Sequence, residues 1–414
     1  MNKDFYVKNR NQLYEKMEER SLLVLFAGKA PQKSADEAYR FVPNRNFLYL
    51  TGIDKPNIVF LAHKTNDSVQ EYLFIEKSDP VWEKWVGKSI TKEEAANVSG
   101  INNIQFIEQF ETFLSRTFLT NVLSNIYLDL ERREIDEVMT KAQQFAQKIH
   151  GNYPYLQIKN VYPDICELRV FKTPEEIEKI KKAIEITNKG IKNLMSHAKA
   201  GMKENQLEAY FDFTLKSEGV RNYAFPTIVA SGKNGTILHY EKNNATVEDG
   251  SLVLLDLGAQ YDYYNGDISY TFPVNGKFTE KQKTFYNIVL KALRETTALI
   301  KPGVPHPKLN EHTKKVLAQE CMNVGLIKEE SEIGKYYYHG VSHFLGLDTH
   351  DVGDYKDLIL KPGMVLTVEP GLYIEEEEIG IRIEDDVLVT EDSHEVLSKD
   401  IFRSVEEIEA FMNK

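Results

Sequence analysis

The clearest pattern of hydrophobic and polar positions lies in the second half of the chain, around two aspartates. Leu252-Val253-Leu254-Leu255 is a continuous apolar run, which predicts a strand buried on both faces, and Asp256 follows it. The next segment is polar and rich in tyrosine, and it ends on Asn265-Gly266, a hairpin turn signal. Asp267 then opens a second apolar segment. The pattern therefore predicts a β-hairpin with one aspartate on each strand.

The predicted hairpin brings two carboxylates close together. If it closes near Tyr261-Asp262, Asp256 and Asp267 lie opposite each other, with Cβ atoms roughly 5 Å apart. Two carboxylates this close repel each other strongly unless a metal ion or a shared proton lies between them. On this stretch alone, an ordinary hairpin with a solvated acidic rim is the alternative.

The first 170 residues predict an α/β domain, because apolar runs rich in Val, Ile, Leu and Phe alternate with helical stretches. The predicted strands are residues 21–27, 57–62, 71–75 and 126–130. The predicted helices are residues 8–20, 92–98, 107–117 and 132–149. Trp82 and Trp85 lie in a proline-containing loop, where they predict either a cap on the core or an apolar wall for a ligand.

A second domain begins with a strong helix start. Thr173-Pro174-Glu175-Glu176 supplies an N-cap, a proline at the first helical position and a capping-box glutamate, and a helix is predicted to about residue 198. A second helix is predicted at residues 204–218. The same order of two helices and then β segments recurs from Thr279, with the second helix at residues 308–323. This repetition predicts two copies of one α+β unit, packed about a pseudo-twofold axis around a shared cleft.

The second copy repeats the arrangement of two carboxylates on successive strands. Residues 364–374 and 379–389 predict two strands joined by an acidic, solvated turn. Glu369 lies on the first strand and Glu384 on the second, so they mirror the two aspartates of the first hairpin. Four carboxylates from two related hairpins are suited to a pair of divalent cations.

Histidines spaced by glycines lie between the two acidic hairpins. His339, His343 and His350 fall within twelve residues, and His239 comes shortly before the first hairpin. One nitrogen ligand among carboxylates favours a transition metal over calcium.

Composition and charge narrow the class of protein further. At 414 residues the chain is long enough for two domains. Its net charge of −12 argues against nucleic acid or an acidic membrane as a partner. It has two widely spaced cysteines, no signal-peptide core and no run long enough to span a membrane. We therefore expect a soluble, cytoplasmic protein.

In these carboxylates and histidines the chain resembles the metallopeptidases of the pita-bread fold, and specifically the Xaa-Pro aminopeptidases (aminopeptidase P). The most specific parts are residues 256–274, 339–353, 369–371 and 380–385, and residues 41–52 resemble the family's N-terminal domain. The resemblance implies an α/β N-terminal domain of aminopeptidase P type at residues 1–170. It also implies an α+β pita-bread catalytic domain, as in creatinase and methionine aminopeptidase, at residues 171–414.

The resemblance implies five metal ligands, which by position are Asp256, Asp267, His343, Glu369 and Glu384. It also implies two divalent ions, bridged by Asp267 and Glu384. Mn²⁺ is the implied activating metal, with Co²⁺ or Zn²⁺ as alternatives.

Further residues match positions that contact the substrate in the family. His239 and His350 match histidines that contact the substrate and shuttle protons, and His339 matches one that lines the prolyl pocket. Tyr373 and Arg382 match positions that support the site next to the substrate.

Two further positions concern the assembly and the peptide length. Trp85 resembles a tryptophan that reaches the active site of a neighbouring subunit, which implies a homo-oligomer, either a dimer or a tetramer. Tyr270 stands where the family usually has arginine, and the loop at residues 354–360 is short. These departures leave the preferred peptide length open.

The implied reaction is hydrolysis of the bond between any N-terminal residue and a following proline. A hydroxide that bridges two divalent ions roughly 3.5 Å apart would attack the carbonyl before the proline. His239 would donate a hydrogen bond to the oxyanion, and Glu369, assisted by His350, would protonate the leaving amine.

Three alternatives follow from the same residues. An Xaa-Pro dipeptidase (prolidase) would use the same metal site. A metal-free binding protein on this fold would have lost the ligands, and all five are present here. A creatinase-like amidinohydrolase rests on fold analogy alone.

Overall fold

The computed structural model describes residues 1–81 and 83–413, and it divides into two compact units, Met1–Arg169 and Val170–Lys414. Trp82 lies outside the described residues, so its predicted role is not addressed by the structure. Within the described ranges, none of the helices is both long enough and apolar enough to cross a membrane.

The first unit is built on one mixed sheet. Its strands are β1 (Ser21–Phe26), β2 (Val59–Lys64), β3 (Val69–Ile75), β4 (Asn103–Phe106), β5 (Asn125–Leu128) and β6 (Gln157–Asn160). They lie in the order β4-β3-β2-β1-β5-β6; the β1–β2 and β2–β3 pairs are antiparallel, and the other pairs are parallel. The helices are α1 (Lys3–Lys16), α2 (Arg45–Thr51), α3 (Glu83–Val86), α4 (Lys92–Ser99), α5 (Phe110–Thr120), α6 (Lys141–Asn152) and α7 (Tyr162–Val170). Leu22, Val24, Leu61 and Phe74 are fully buried in its core.

The predicted α/β class is confirmed. One predicted helix starts later than expected, and several helices and strands were not predicted. The helix predicted at residues 132–149 begins only at Lys141, because the Thr140 side chain accepts a hydrogen bond from Gln143 N in a capping box. Prediction missed α2, α3, β4, β6 and α7, and Trp85, predicted in a loop, lies on the short helix α3. Helix α2 contains a run of four apolar residues that shows no helical period, since the helix is buried all round.

The second unit contains two helix pairs, each followed by β segments. The helices are α8 (Pro174–His197), α9 (Glu204–Ser217), α10 (Glu280–Ala298), α11 (Pro307–Asn323) and α12 (Val405–Met412). The strands are β7 (Asn222–Tyr223), β8 (Ile228–Ser231), β9 (Leu252–Leu257), β10 (Ala259–Tyr261), β11 (Tyr264–Asn265), β12 (Ile268–Pro273), β13 (Val365–Val368), β14 (Gly371–Ile374), β15 (Ile379–Arg382), β16 (Asp385–Val389) and β17 (His394–Val396). Thr173 and Thr279 cap α8 and α10 through capping boxes.

The first hairpin has a different register from the predicted one. Asp256 pairs with Ser269. The turn is Asp262-Tyr263, where both residues have positive φ (46° and 73°), as a two-residue type I′ turn requires. The prediction that Asp256 and Asp267 lie directly opposite is therefore wrong, because the turn lies one residue beyond Tyr261-Asp262.

The shift keeps both aspartates on one face of the hairpin. Moving a turn by one residue changes the cross-strand partner by two, and side chains two residues apart share a face. Asp267 is thus a diagonal neighbour of Asp256, and the register continues to place Gly258 opposite Asp267. A Cβ on Gly258 would lie 1.9 Å from Gly266 O, so only glycine fits there. Asn265, predicted in the turn, lies in β11.

The second hairpin follows the predicted arrangement. Val368 pairs with Asp385, and the next residues along the two chains, Glu369 and Glu384, therefore lie opposite each other. Its tip is a short 3₁₀ turn, Glu375–Glu377, whose side chains are exposed.

Candidate metal centre

The four predicted carboxylates and His343 come together where the two hairpins meet. Asp256 lies near the end of β9, and Asp267 immediately precedes β12. Glu369 follows β13, and Glu384 immediately precedes β16. The backbones of both hairpins thus bring the acidic side chains to one small region.

Ser269 and Glu384 join the two hairpins. Glu384 N donates a hydrogen bond of 3.1 Å to Ser269 O. In return, Ser269 N and Oγ lie 2.9 Å and 2.8 Å from Glu384 Oε2 and donate to it. Ser269 Oγ also lies 3.3 Å from Asp256 Oδ1. One serine therefore orients carboxylates from both hairpins.

Arg382 supplies positive charge next to these carboxylates. Its Nη2 donates to Asp256 Oδ2 at 2.7 Å, and its Nε donates to Ser269 Oγ at 2.6 Å. Its Nη1 donates to the hydroxyl of Tyr373 at 3.1 Å, and that hydroxyl lies 2.8 Å from His339 Nε2. The predicted supporting residues thus form one hydrogen-bonded chain from Asp256 to His339.

His343 is fixed by the backbone of β13. Glu369 N donates to Val341 O (2.8 Å), and Thr367 N donates to His343 O (2.9 Å), so the histidine segment runs along this strand. His343 Nδ1 lies 3.0 Å from Phe344 O, and because a carbonyl oxygen only accepts, Nδ1 carries the proton. Nε2 is left to face the carboxylates.

The carboxylates that face His343 come from both hairpins. Its Nε2 lies 3.4 Å from Oδ2 of Asp267 and 3.6 Å from Oε1 of Glu369. Burial and the nearby charges change the pKa values of these carboxyl groups. Burial is the main cause that raises the pKa of Glu369 to about 7. Burial also raises the pKa of Glu384 well above its usual range, with a further contribution from Asp267.

The charge of His343 depends on the same neighbours. Burial opposes the imidazolium, but the hydrogen bond to Asp267 and the charges of Asp267 and Glu369 outweigh it and raise the pKa of His343 to about 9. Without a metal ion in the cluster, Glu369 and Glu384 therefore bind protons more readily than usual, and Asp267 pairs with the protonated His343 at neutral pH.

The cluster has the donor set and the unsatisfied atom expected of a metal site. Asp267, His343 and Glu384 each offer one ligand atom, and these atoms all lie within 4.8 Å of one another. Glu384 Oε1 is buried and accepts no hydrogen bond from the part of the chain that the structure describes. Carboxylate oxygens with one imidazole nitrogen suit borderline divalent ions. These residues therefore fit a divalent metal ion.

Two of the predicted substrate histidines, His339 and His350, lie next to residues of this cluster. The ring of His350 lies 4.4 Å from the ring of His343, in an edge-to-face arrangement. His239 lies on an exposed turn. Burial, Arg382 and, among smaller causes, the charge of His239 lower the pKa of His339 to about 4, so that imidazole is neutral at pH 7. Trp85, in the first unit, lies on α3 and is 79% exposed.

Two buried residues of the site were missed by sequence reasoning. Ser269 follows Asp267 by two positions, and Asp386 follows Glu384 by two, so strand alternation places each on the face of a predicted ligand. Asp386 Oδ2 accepts a hydrogen bond of 3.1 Å from Asp267 N. Alternation was the signal that could have identified both residues.

Comparisons with known proteins identify the families that this chain matches. Residues 178–391 match the model of metallopeptidase family M24, and residues 6–127 match the aminopeptidase P N-terminal domain. The Xaa-Pro aminopeptidase of Escherichia coli (strain K12) is 35% identical, over 98% of this chain and 97% of the relative.

Solved structures are similar over the full length. A Bacillus anthracis structure, provisionally described as an aminopeptidase P, is 61% identical with a TM-score of 0.99, covering 100% of this chain and 99% of that one. Escherichia coli aminopeptidase P with the inhibitor Pro-Leu is 33% identical with a TM-score of 0.92, covering 100% and 98%.

Proposed function

The chain belongs to metallopeptidase family M24, and we propose that it is an Xaa-Pro aminopeptidase. It hydrolyses the peptide bond between any N-terminal residue and a following proline. The cluster of Asp267, His343 and Glu384 at the junction of two hairpins is the observation that carries the proposal. The alternative is an Xaa-Pro dipeptidase with the same metal site.

We assign the metal site to Asp256, Asp267, His343, Glu369 and Glu384, which would hold two divalent ions. Mn²⁺ is the proposed metal, as the family resemblance implies, with Co²⁺ or Zn²⁺ as alternatives; one imidazole among four carboxylates suits each of these divalent ions. Ions bound there supply Lewis-acid activation of water and of the peptide carbonyl.

Glu369 is assigned the proton transfer to the leaving proline nitrogen. In the metal-free protein, burial raises the pKa of Glu369 to about 7. A bound cation would favour the ionised carboxylate, which could then accept a proton and pass it to the nitrogen. Glu369 Oε2 lies 4.0 Å from His339 Nδ1, on the side of the predicted prolyl pocket. His350, beside His343, assists this transfer from the exposed side of the cluster.

The remaining residues bind and orient the peptide. A bond before proline is a tertiary amide without an N–H, so recognition depends on the ring and the carbonyl. His339, held between Tyr373 and the Gly340 carbonyl, lines the pocket for the ring. His239 donates a hydrogen bond to the carbonyl oxygen, and Arg382 fixes Tyr373 and Asp256.

Metal analysis and peptide assays test the assignment together. Asp267→Asn and Glu384→Gln should lose bound metal and hydrolysis of a tripeptide with proline second, while remaining folded. Asp262→Asn is a matched control, because Asp262 lies on the exposed turn of the same hairpin and pairs with Lys179. Full activity in metal-free Asp267→Asn protein would refute the metal assignment.

The choice between the two peptidases needs a second substrate. An Xaa-Pro aminopeptidase should cleave Xaa-Pro-Yaa tripeptides and longer peptides, whereas a dipeptidase should prefer the free Xaa-Pro dipeptide. Activity confined to the dipeptide would favour the alternative.

We also propose a cytoplasmic homo-oligomer, either a dimer or a tetramer. Val81, Trp85 and Val86 are 68%, 79% and 64% exposed, and their apolar side chains suit contact with a second copy. In such an assembly Trp85 would reach a neighbouring active site. Cys166 and Cys321 are free and buried, as suits a reducing compartment. Light scattering tests the assembly, and a monomer at micromolar concentration would contradict it.

A further inference from the structure

Glu204 is a fully buried carboxylate that the proposed reaction does not use. It is the first residue of α9, and it accepts five hydrogen bonds. Oε1 accepts from Ser231 N (2.8 Å), Ser231 Oγ (2.8 Å) and Asn234 Nδ2 (3.0 Å). Oε2 accepts from the Tyr240 hydroxyl (2.8 Å) and from Ala245 N (2.9 Å).

All five donors belong to one segment, residues 231–245, which we name the His239 loop. Ser231 and Ala245 are its two ends, so one carboxylate bonds to the backbone at both. Tyr240, which bonds the same carboxylate, is the residue next to His239 and is buried, whereas His239 itself is exposed. Glu204 thus holds both ends of the loop and also Tyr240, the residue that follows His239.

The bonds are those of a charged carboxylate. Burial raises the pKa of Glu204, but the hydrogen bonds from Asn234, Ser231 and Ala245 lower it further than burial raises it, and the net pKa is below its ordinary value. Hydrogen bonds to an ionised acceptor are about twice as strong as bonds between neutral groups.

The other side of the His239 loop packs against the strand that carries Arg382. A Cβ on Gly380, two residues before Arg382, would lie 1.9 Å from Gly235 O, which shows how closely the backbones approach. The Tyr338 hydroxyl also donates a hydrogen bond of 3.0 Å to Thr236 O. The loop is therefore fixed between Glu204 and the metal-site strand.

We propose that Glu204 is a positioning residue for His239, holding the His239 loop so that the imidazole meets the substrate carbonyl. The inference rests on the role proposed above for His239. It predicts that Glu204 contributes to turnover only through that histidine.

A double-mutant cycle on kcat tests this with a Xaa-Pro tripeptide and saturating Mn²⁺. Glu204→Gln keeps the size of the side chain but replaces an acceptor oxygen with a donor, so the loop loses bonds at one end. Displacing a catalytic group slightly can cost on the order of 100-fold, and we expect Glu204→Gln to lower kcat about 10- to 100-fold with KM and metal content nearly unchanged. In a His239→Ala background, the same change should have no further effect on kcat.

Two companion variants keep the test decisive. Tyr240→Phe removes one bond to Glu204 and is the milder probe if Glu204→Gln does not fold; we expect about a 5-fold loss of kcat that also disappears in His239→Ala. Glu176→Gln is the matched control, because Glu176 is also a buried capping glutamate with several donors, and these donors, on Thr173 and Tyr264, lie outside the His239 loop. If Glu176→Gln lowers kcat, it should lower kcat by the same factor in the wild type and in His239→Ala.

The outcomes separate the two proposals. If His239→Ala lowers kcat and the effect of Glu204→Gln or Tyr240→Phe multiplies with it, the positioning role is overturned while the role of His239 stands. Unchanged kcat in His239→Ala would overturn both.

Discussion

The guanidinium of Arg382 lies 2.7 Å from the Asp256 carboxylate, and the two side chains are only 5% and 15% exposed. The same guanidinium contacts Ser269 and Tyr373. It therefore offsets negative charge at the point where carboxylates of both hairpins approach each other. A cation in this position lets the acidic cluster form before any metal is bound.

The first prediction concerns the stability of the metal-free protein. Arg382→Gln leaves the half-buried Asp256 carboxylate without its cation, and we expect the free energy of unfolding to fall by about 3–5 kcal/mol. Lys281→Gln is the control, because its pair with Glu377 is exposed and should be worth less than about 1 kcal/mol. Urea unfolding in the presence of a chelator measures both, and equal midpoints for Arg382→Gln and the wild type would contradict the prediction.

The second prediction concerns pH. In the folded, metal-free state the pKa of His343 is raised from 6.5 to about 9, because the bond to Asp267 and the nearby carboxylates outweigh burial. The folded protein thus binds this proton more tightly than the unfolded chain does. The stability that it contributes is complete below pH 6.5 and is lost as the pH rises to about 9. Glu369, raised from 4.5 to about 7, acts in the same direction.

We therefore expect metal-free protein to become less stable by about 3 kcal/mol between pH 6.5 and 9, because each tenfold change in proton affinity is worth about 1.4 kcal/mol. Urea unfolding at several pH values measures this loss. With Mn²⁺ bound the loss should vanish or reverse, because metal ligands bind in their deprotonated forms. In His343→Asn the metal-free profile should flatten, and a slope as steep as that of the wild type would show that another group is responsible.

The sequence identified the residues of the site more securely than their pairing. Asp256 and Asp267 share a face under either register, so the alternation of the strands was enough to bring them together. Their partners depend on the turn, and Asp262-Tyr263 has no glycine to mark the positive φ that it adopts. Local composition favoured Asn265-Gly266 instead.

Residues that support the site through long-range contacts were harder to predict. Glu204 lies on a helix 27 residues before Ser231, and nothing in its own segment indicates that it binds a loop. The same limit applies to α2, whose apolar run is buried on all sides and therefore lacks the period that identifies a helix. The pattern of hydrophobic and polar residues indicates which positions are buried. It does not indicate which distant residues will contact each other in the folded chain.

The third prediction concerns His350. Its ring lies beside that of His343 at 4.4 Å, but it is exposed and can reach a bound peptide. His350→Ala should lower kcat by about 10²- to 10⁴-fold, as for a general acid or base, without loss of metal. His197 is exposed and its ring stacks on Tyr210, so His197→Ala should change neither kcat nor the metal content. Steady-state kinetics with metal analysis decides, and an unchanged kcat would remove His350 from the reaction.

The last prediction concerns the close contact inside the first hairpin. Gly258 lies opposite Asp267, and its added Cβ would lie 1.9 Å from Gly266 O, a backbone atom that cannot move without separating the strands. Gly258→Ala should therefore destabilise the protein by about 1–3 kcal/mol and weaken Mn²⁺ binding about 10-fold, because Asp267 is displaced. Gly334→Ala is the matched control, since its Cβ meets nothing within 4 Å. Urea unfolding and Mn²⁺ titration measure the two effects. Wild-type stability and affinity in Gly258→Ala would mean that the hairpin can open without moving its aspartates.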